Sequence, residues 1–247
     1  MNMNLQMNVT KKGGHDKCFT LLELLIVISI IAVLSVALVL VLNPAEALRK
    51  ARDSQRISDL NTMKTALGLY MTSTTTPYLG ASVAGALNNT RCKLTPLAAW
   101  DSAGTPKIFY SLPTTGGSIT QSTLDSATGT GTLASQTASV TAAAATDGSG
   151  WIPVAFDNLT GGSPISNLPI DPTNAIISPD TVAGITKASL MYRYACSVTP
   201  LAFEIDASLE SAAYTVNDDK LASDGGGNAS FYEVGINLKI MGTGNNF

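Results

Sequence analysis

An apolar run from Phe19 to Leu42 constrains this chain more than any other feature of its sequence. Glu23 is the only ionisable residue in the run, whose other polar side chains are one threonine and two serines. As a helix, these 24 residues would extend about 36 Å, which is enough to cross a hydrocarbon core of roughly 30 Å. A carboxylate in that core costs on the order of 3 kcal/mol. We therefore expect Glu23 to have a partner.

The ends of the run distinguish it from a cleaved secretory signal. Such a signal has roughly 7 to 15 apolar residues followed by a small-residue cleavage site, whereas this longer run leads directly into Asn43-Pro44. Lysines and arginines are nearly balanced on its two sides, so the charge rule does not orient it. A plain single-pass anchor would explain everything except Glu23.

The residues at the start of the run resemble the processing site of type IV prepilins and of the pseudopilins of secretion and DNA-uptake machines. Cys18 is followed by FTLLELLIVISIIAVL. In that family a short basic leader is cut just before a Phe, the new amino terminus is methylated, and a Glu stands fifth in the mature chain. The resemblance implies a leader at 1–18, cleavage between Cys18 and Phe19, and N-methylation of Phe19. The family has Gly where this chain has Cys18, which is also small.

The resemblance also implies a role for Glu23, which would pair with the terminal amine of a neighbouring subunit as a filament grows. Opposite charges in an apolar bundle offset much of the cost that each carries alone. A subunit out of register would leave both charges unpaired. The alternative is that Glu23 is a polar residue tolerated near the membrane edge.

The partners, location and function of the chain follow from the same resemblance. The implied partners are the prepilin peptidase, identical subunits and other pilins or pseudopilins, and an inner-membrane assembly platform. The precursor would cross the cytoplasmic (inner) membrane once, with its C-terminal domain outside the cytoplasm. Assembly would produce a cell-surface filament for adhesion, motility or DNA uptake. The alternatives are a pseudopilin of a type II secretion or competence machine, and a monomeric membrane-anchored binding module.

After the apolar run 19–42, residues 43–72 are expected to continue as an amphipathic helix. Asn43 and Pro44 predict a break and a restart, with Asn43 as the cap and Pro44 in the first helical position. An apolar stripe recurs at three- and four-residue spacing and should pack on a globular domain; it consists of Leu60, Met63, Leu67 and Tyr70.

The first half of this second helix is charged. Residues 47–56 read ALRKARDSQR, and we expect them to face water or adjacent subunits. A basic patch of this kind also suits anionic lipid or DNA, although the net charge of −3 argues against a general nucleic-acid binder.

The remainder, 73–247, reads as a β-rich head. The fold class is therefore α+β, with a long N-terminal helix packed on an antiparallel sheet as in pilins. Between 112 and 150 the composition is rich in Ser, Thr, Ala and Gly, which is typical of a surface insertion. The strand candidates are 107–112, 151–156, 191–198, 201–210 and 231–240.

The segment 201–210 has the clearest strand pattern. Apolar residues alternate with polar ones, which predicts a strand with one buried face and one solvent-exposed face. The turn at Thr199-Pro200 predicts an antiparallel hairpin with 191–198. The apolar set is Phe203, Ile205, Ala207 and Leu209, and the polar set is Glu204, Asp206, Ser208 and Glu210.

Cys92 and Cys196 lie in the region expected to be exported, where disulfides persist. A bridge between them is our expectation, and two separate buried thiols are the alternative.

Oxygen-bearing side chains in the distal loops suggest calcium ligands, because related pseudopilins hold calcium there. No calcium-loop spacing is present, and ordinary turns are the competing explanation. The candidates are Asp171, Asn174, Asp218, Asp219 and Asp224.

The sequence shows none of the catalytic patterns that depend on histidine or on a phosphate-binding glycine loop. The only histidine, His15, lies in the expected leader, so a mature chain would have no His-based triad or His-ligated metal. The glycines at 225–227 are not followed by the lysine of a phosphate-binding loop. We expect a non-enzyme with no required cofactor.

Overall fold

The computed structural model describes residues 19–80, 88–98, 107–111, 118–121, 131–134, 143–177 and 186–242. The chain divides into two compact units, Met1–Pro44 and Ala45–Phe247. The described part of the first unit, residues 19–44, contains helix α1 (Leu21–Leu42). Its segment Leu21–Val39 has a mean hydropathy of 2.9, and it is the one described helix long and apolar enough to cross a membrane. The predicted apolar helix is confirmed.

The predicted break between two helices is also confirmed, although Asn43 is the C-terminal cap of the first helix. Helix α1 ends at Leu42, and α2 (Pro44–Ser73) begins two residues later. Asn43 lies between them with a φ of 40°. Asparagine is one of the few residues that adopt this left-handed conformation readily. Pro44 stands at the first helical position, where its missing N–H breaks no intrahelical bond.

The head contains a four-stranded antiparallel sheet. Its strands, in their spatial order, are β1 (Phe109–Tyr110), β4 (Tyr192–Val198), β5 (Leu201–Ala207) and β6 (Tyr232–Gly235). A separate antiparallel pair, β2 (Ser118–Gln121) and β3 (Gly131–Ala134), lies within the Ser/Thr/Gly-rich stretch. After β5 come a π-helical turn (Ala213–Asn217) and the short helix α3 (Lys220–Ser223). The α+β layout with an antiparallel sheet and the 191–210 hairpin are confirmed.

Several strand predictions need correction. The candidates at 107–112, 201–210 and 231–240 shorten to β1, β5 and β6, and 151–156 is not a strand. Trp151, Ile152 and Val154 are fully buried in an irregular segment that ends in a 3₁₀ turn, Phe156–Asn158. Their apolar side chains fill the core, and the Trp151 indole N–H donates to the Pro169 carbonyl at 2.9 Å. The run is therefore apolar because its side chains are buried in the core, and not because its backbone belongs to a sheet.

Helix α2 packs on one face of the sheet through its apolar stripe. Leu60, Met63 and Leu67 are completely buried, so the predicted stripe is confirmed. The sheet residues in the same core come from alternate positions of each strand, as expected from the strand period of two; they include Tyr192, Tyr194, Phe203, Ile205 and Val234.

The opposite face of β5 is buried too, which overturns the prediction of a wet face. Glu204 and Asp206 are 0 % exposed and Ser208 is 4 % exposed. A second apolar cluster, which includes Ala195 and Ala202 from the hairpin, packs with Ile240 and Met241 near the C-terminal end. The alternating pattern of β5 correctly separates its two faces, but it does not reveal that residues 240–241 cover the face that carries the polar side chains.

Candidate assembly site

Helix α1 exposes its apolar surface on every side. Among its large apolar side chains with described burial, even the least exposed, Val27, is 46 % exposed, and Leu21 reaches 83 %. A core helix of a soluble domain buries such residues, since each stabilises the fold by about 1.5–3 kcal/mol when removed from water. The surface of α1 therefore suits a lipid or a protein environment outside its own chain.

Glu23 lies in the first turn of α1, where the sequence also supplies a cap. The Thr20 hydroxyl oxygen accepts a hydrogen bond from the Glu23 backbone N–H at 3.2 Å. A negative charge is stabilised at this end of a helix, where backbone N–H groups are free. Residues 20–23 form the T-x-x-E spacing of a capping box. The cap at Thr20 was not predicted from the sequence; it stabilises the first turn of α1, in which Glu23 lies.

The hydroxyl groups of the two serines of α1 form hydrogen bonds within their own helix. The Ser29 hydroxyl donates to the Ile26 carbonyl at 2.8 Å, and the Ser35 hydroxyl donates to the Ile31 carbonyl at 2.7 Å. Both hydroxyls are thus satisfied within the helix, as lipid or an apolar bundle requires. Glu23 remains the one ionisable group of the run.

The expected processing site falls at the edge of the described chain. Cys18 and the rest of the expected leader lie outside the described residues. Phe19 precedes the helix and is 77 % exposed. Its position leaves the residue that would begin a mature chain accessible to contacts outside the chain.

The charged first half of α2 is not simply a solvated face, which corrects the prediction for 47–56. Asp53 and Arg56 are both 0 % exposed. Asp59, one turn further along the helix, also contacts the head, because its carboxylate accepts a hydrogen bond from the Tyr192 hydroxyl at 2.8 Å. The helical pattern alone did not reveal that this charged turn faces the head.

Arg56 is the centre of a buried ion network. Its Nε donates to Asp171 Oδ2 at 2.7 Å and its Nη2 to Asp171 Oδ1 at 3.1 Å. Its Nη1 donates to Asp53 Oδ1 and to Glu210 Oε2, both at 2.7 Å. Burial opposes the charge of Arg56, but hydrogen bonds to Asp171, Glu210 and Asp53 outweigh it and raise the pKa.

Asp53 extends this network into the backbone after β5. Its carboxylate accepts N–H bonds from Glu210 at 3.0 Å and from Ser211 at 2.7 Å. Arg52 adds a two-point contact to the Glu210 carboxylate, at 2.8 and 3.0 Å. Helix α2 is therefore held to the head by directed charge contacts as well as by its apolar stripe.

Cys92 and Cys196 form a disulfide, with an S–S distance of 2.07 Å and a Cα–Cα distance of 4.6 Å. The bridge ties the 91–94 segment to the edge of β4, where the Lys93 N–H donates to the Cys196 carbonyl at 2.9 Å. Gly80 packs directly on the bridge, because an added Cβ would lie 2.5 Å from the Cys92 sulfur.

The calcium candidates lie in two parts of the head. Asp171 and Asn174 share one loop, where the Asn174 N–H donates to Asp171 Oδ1 at 3.1 Å, and the other three candidates lie between positions 218 and 224. Asp171 binds Arg56, and Asn174 exchanges hydrogen bonds with Ser111 at 2.8 and 3.2 Å. Asp218 pairs with Lys220 at 2.8 Å.

The other two calcium candidates stabilise turns. The Asp219 carboxylate caps α3 by accepting from the Leu221 and Ala222 N–H groups. The Asp224 carboxylate accepts from Gly226 and Glu233 N–H groups, at 2.8 and 2.7 Å. Within the described ranges, no group of three or more His, Cys, Asp or Glu side chains is arranged to hold a metal ion.

Comparisons with protein-family models, with curated proteins and with solved structures found no match to this chain.

Proposed function

We propose that this chain is a structural subunit of a type IV pilus-like filament with a pilin-like fold. It is made as a precursor in the cytoplasmic membrane, cut between Cys18 and Phe19 by a prepilin peptidase, and assembled through α1. The observation that carries the proposal is an apolar helix that is exposed on every side and has one acid, Glu23, in its first turn.

The physical role of α1 changes between the membrane and the filament. Lipid surrounds the helix in the precursor, and neighbouring copies of α1 surround it after assembly. In both states its apolar side chains leave water, and its serine hydroxyls stay bonded within the helix. The helix can thus move from one environment to the other without exposing unsatisfied polar groups.

Glu23 supplies the specificity that an apolar surface lacks. Cleavage before Phe19 creates a charged amine, and Glu23 of a neighbouring subunit neutralises it. Each charge alone is costly in an apolar bundle, whereas the pair recovers much of that cost. A misplaced subunit leaves both charges unpaired and is rejected. The head has a structural role, and the cleavage chemistry belongs to the peptidase.

Co-expression with a prepilin peptidase and an assembly platform tests the proposal. Mass spectrometry is expected to find a mature chain that begins with methylated Phe19, and electron microscopy is expected to find filaments that contain it. Glu23→Ala is expected to remain in the membrane but fail to assemble. Ser35→Ala is the matched control on the same helix and is expected to assemble normally.

Three results would point elsewhere. An uncut leader would reduce the chain to an ordinary anchored protein. Normal assembly of Glu23→Ala would show that assembly does not depend on a charge pair with Glu23. Processed protein confined to short periplasmic fibres would favour a pseudopilin of a secretion or competence machine.

A further inference from the structure

Four charged side chains share the face of the sheet that lies away from α2. Arg193, Asp206 and Glu233 stand side by side on β4, β5 and β6, because Arg193 pairs with Asp206 and Asp206 pairs with Glu233 in the strand register. Glu204 lies on the same face of β5, two residues from Asp206. The row therefore contains three carboxyl groups and one guanidinium.

Glu204 is completely buried and holds the C-terminal segment. Its Oε2 accepts backbone N–H bonds from Ile240 at 2.7 Å and from Met241 at 2.8 Å. Its Oε1 is buried and has no donor among the residues that the structure describes. A buried carboxylate oxygen without a donor carries a large desolvation cost, which disfavours the ionised form of Glu204.

Glu233 is the neighbouring side chain that can accept a hydrogen bond from Glu204 Oε1 when Glu204 is protonated. It is 2 % exposed, its Oε2 accepts from the Asn228 N–H at 2.9 Å, and its carboxyl group is in hydrogen-bonding contact with that of Glu204. Two carboxylates cannot form such a bond, because neither has a hydrogen to donate. A protonated Glu204 can donate from Oε1.

The other charged groups around the pair are two cations, Arg193 and Lys93, and two further carboxyl groups, Asp206 and Asp224. Asp206 is engaged with the Arg193 guanidinium, which also stacks on the Phe231 ring at 3.7 Å. The Lys93 ammonium donates to the Ile240 carbonyl at 2.9 Å, and burial outweighs its attraction to the Glu204 carboxylate and lowers the pKa of Lys93 to about 8. Asp224, from the loop before β6, adds a further carboxyl group beside Glu233.

We propose that Glu204 is protonated at neutral pH, that its Oε1–H donates to the Glu233 carboxylate, and that this acid pair latches residues 240–241 over the sheet. Loss of the proton to solvent leaves two adjacent carboxylates in a buried site. Residues 240–241 contact Glu204 directly, so their movement away from the sheet lets water reach the ionised Glu204 carboxylate. The segment then loosens, and the apolar cluster around Ala195 and Ala202 becomes exposed.

The direction of the pH effect follows from the same geometry. Burial is the largest cause that raises the pKa of Glu204 well above its usual value, and the bond to Glu233 and the charge of Asp206 add to it. A carboxyl whose folded pKa exceeds its unfolded pKa stabilises the fold most at low pH. This stabilisation is lost as the pH rises from the unfolded pKa through the folded one.

Carbon-13 NMR of the full-length chain in detergent, with labelled Glu, tests the latch. The Glu204 carboxyl carbon is expected to show the protonated shift at pH 7 and to titrate at higher pH. Amide protection factors of Ile240 and Met241 are expected to fall by about tenfold for each unit of pH between the unfolded pKa and the folded pKa of Glu204, and to level off above the folded pKa. Glu204→Gln keeps the shape and stays neutral, so its protection factors are expected to be independent of pH in this range.

Asp157→Asn is the matched control on an exposed carboxylate, and it is expected to behave as the wild type. A Glu204 carboxyl that titrates near 4.5 or below in the wild-type chain would overturn the proposal, whether or not the variant folds. Equal pH dependence of the two amides in wild type and Glu204→Gln would do the same.

Discussion

Arg56 and Asp171, 115 residues apart in the chain, form a two-point ion pair in which both side chains are fully buried, with contacts of 2.7 and 3.1 Å. The pair joins the middle of α2 to a loop of the head. Its guanidinium also contacts Asp53 and Glu210. One arginine therefore compensates three carboxylates that come from three separate parts of the chain.

Replacing Arg56 by Met is expected to destabilise the head by about 3–5 kcal/mol, because it leaves buried acids without their cation. Chemical denaturation of the full-length chain in detergent would measure the change. Arg49→Met, on the exposed side of the same helix, removes only a surface pair with Glu46 at 3.7 Å and is expected to have little effect. Equal losses in the two variants would show that the buried network does not hold α2.

The acid sensitivity of the head is expected to depend on Glu210. Burial by itself would raise its pKa, but hydrogen bonds from Arg52 and Arg56 outweigh burial and lower it. The resulting stabilisation is present above the unfolded pKa, near 4.5, and is lost as the pH falls through the folded value. Glu210→Gln should therefore flatten the loss of stability below pH 4.5. A curve parallel to the wild type, measured by urea unfolding at several pH values, would contradict this expectation.

The Cys92–Cys196 bridge closes a loop with a sequence separation of 104 residues. In the chain-entropy model, a bridge over a loop of this length stabilises by up to about 4.7 kcal/mol. Dithiothreitol is expected to lower the urea midpoint of the wild-type chain and to leave that of a Cys92→Ala, Cys196→Ala double variant unchanged. If reductant shifts both chains equally, the stabilisation does not come from this bridge.

Two leucines of α2 provide a matched test of its packing. Leu67 is fully buried, and Leu69 on the other side of the helix is 48 % exposed. Leu67→Ala is expected to cost about 3 kcal/mol through lost burial and a residual cavity, and Leu69→Ala well under about 1 kcal/mol. Thermal unfolding followed by circular dichroism would compare them. A larger effect at Leu69 would mean that a different face of α2 packs on the sheet.

The apolar elements of the fold were predictable because their patterns are local. The run from Phe19 predicted α1, the stripe through Leu60 and Leu67 predicted the packed face of α2, and the alternation around Phe203 predicted β5. Each pattern depends on side chains a few residues apart that point in one direction. The segment 151–156 was misread for the same reason, since an apolar run does not say whether its backbone joins a sheet.

The fate of the charged residues depended on tertiary structure. Arg56 and Glu204 both lie in patterns that predict solvent on their side of a helix or strand, yet both are completely buried.

By itself, the sequence determined the exposed apolar helix, the single acid in its first turn, the break at Asn43-Pro44 and the hydrophobic faces of α2 and the β4–β5 hairpin. Only the tertiary structure decided which charges are buried and with which partners. The physical reason is that a side chain's direction follows from local backbone geometry, whereas the burial of a charge depends on segments more than a hundred residues away, such as Asp171 for Arg56, or on a late covering segment, such as 240–241 for Glu204.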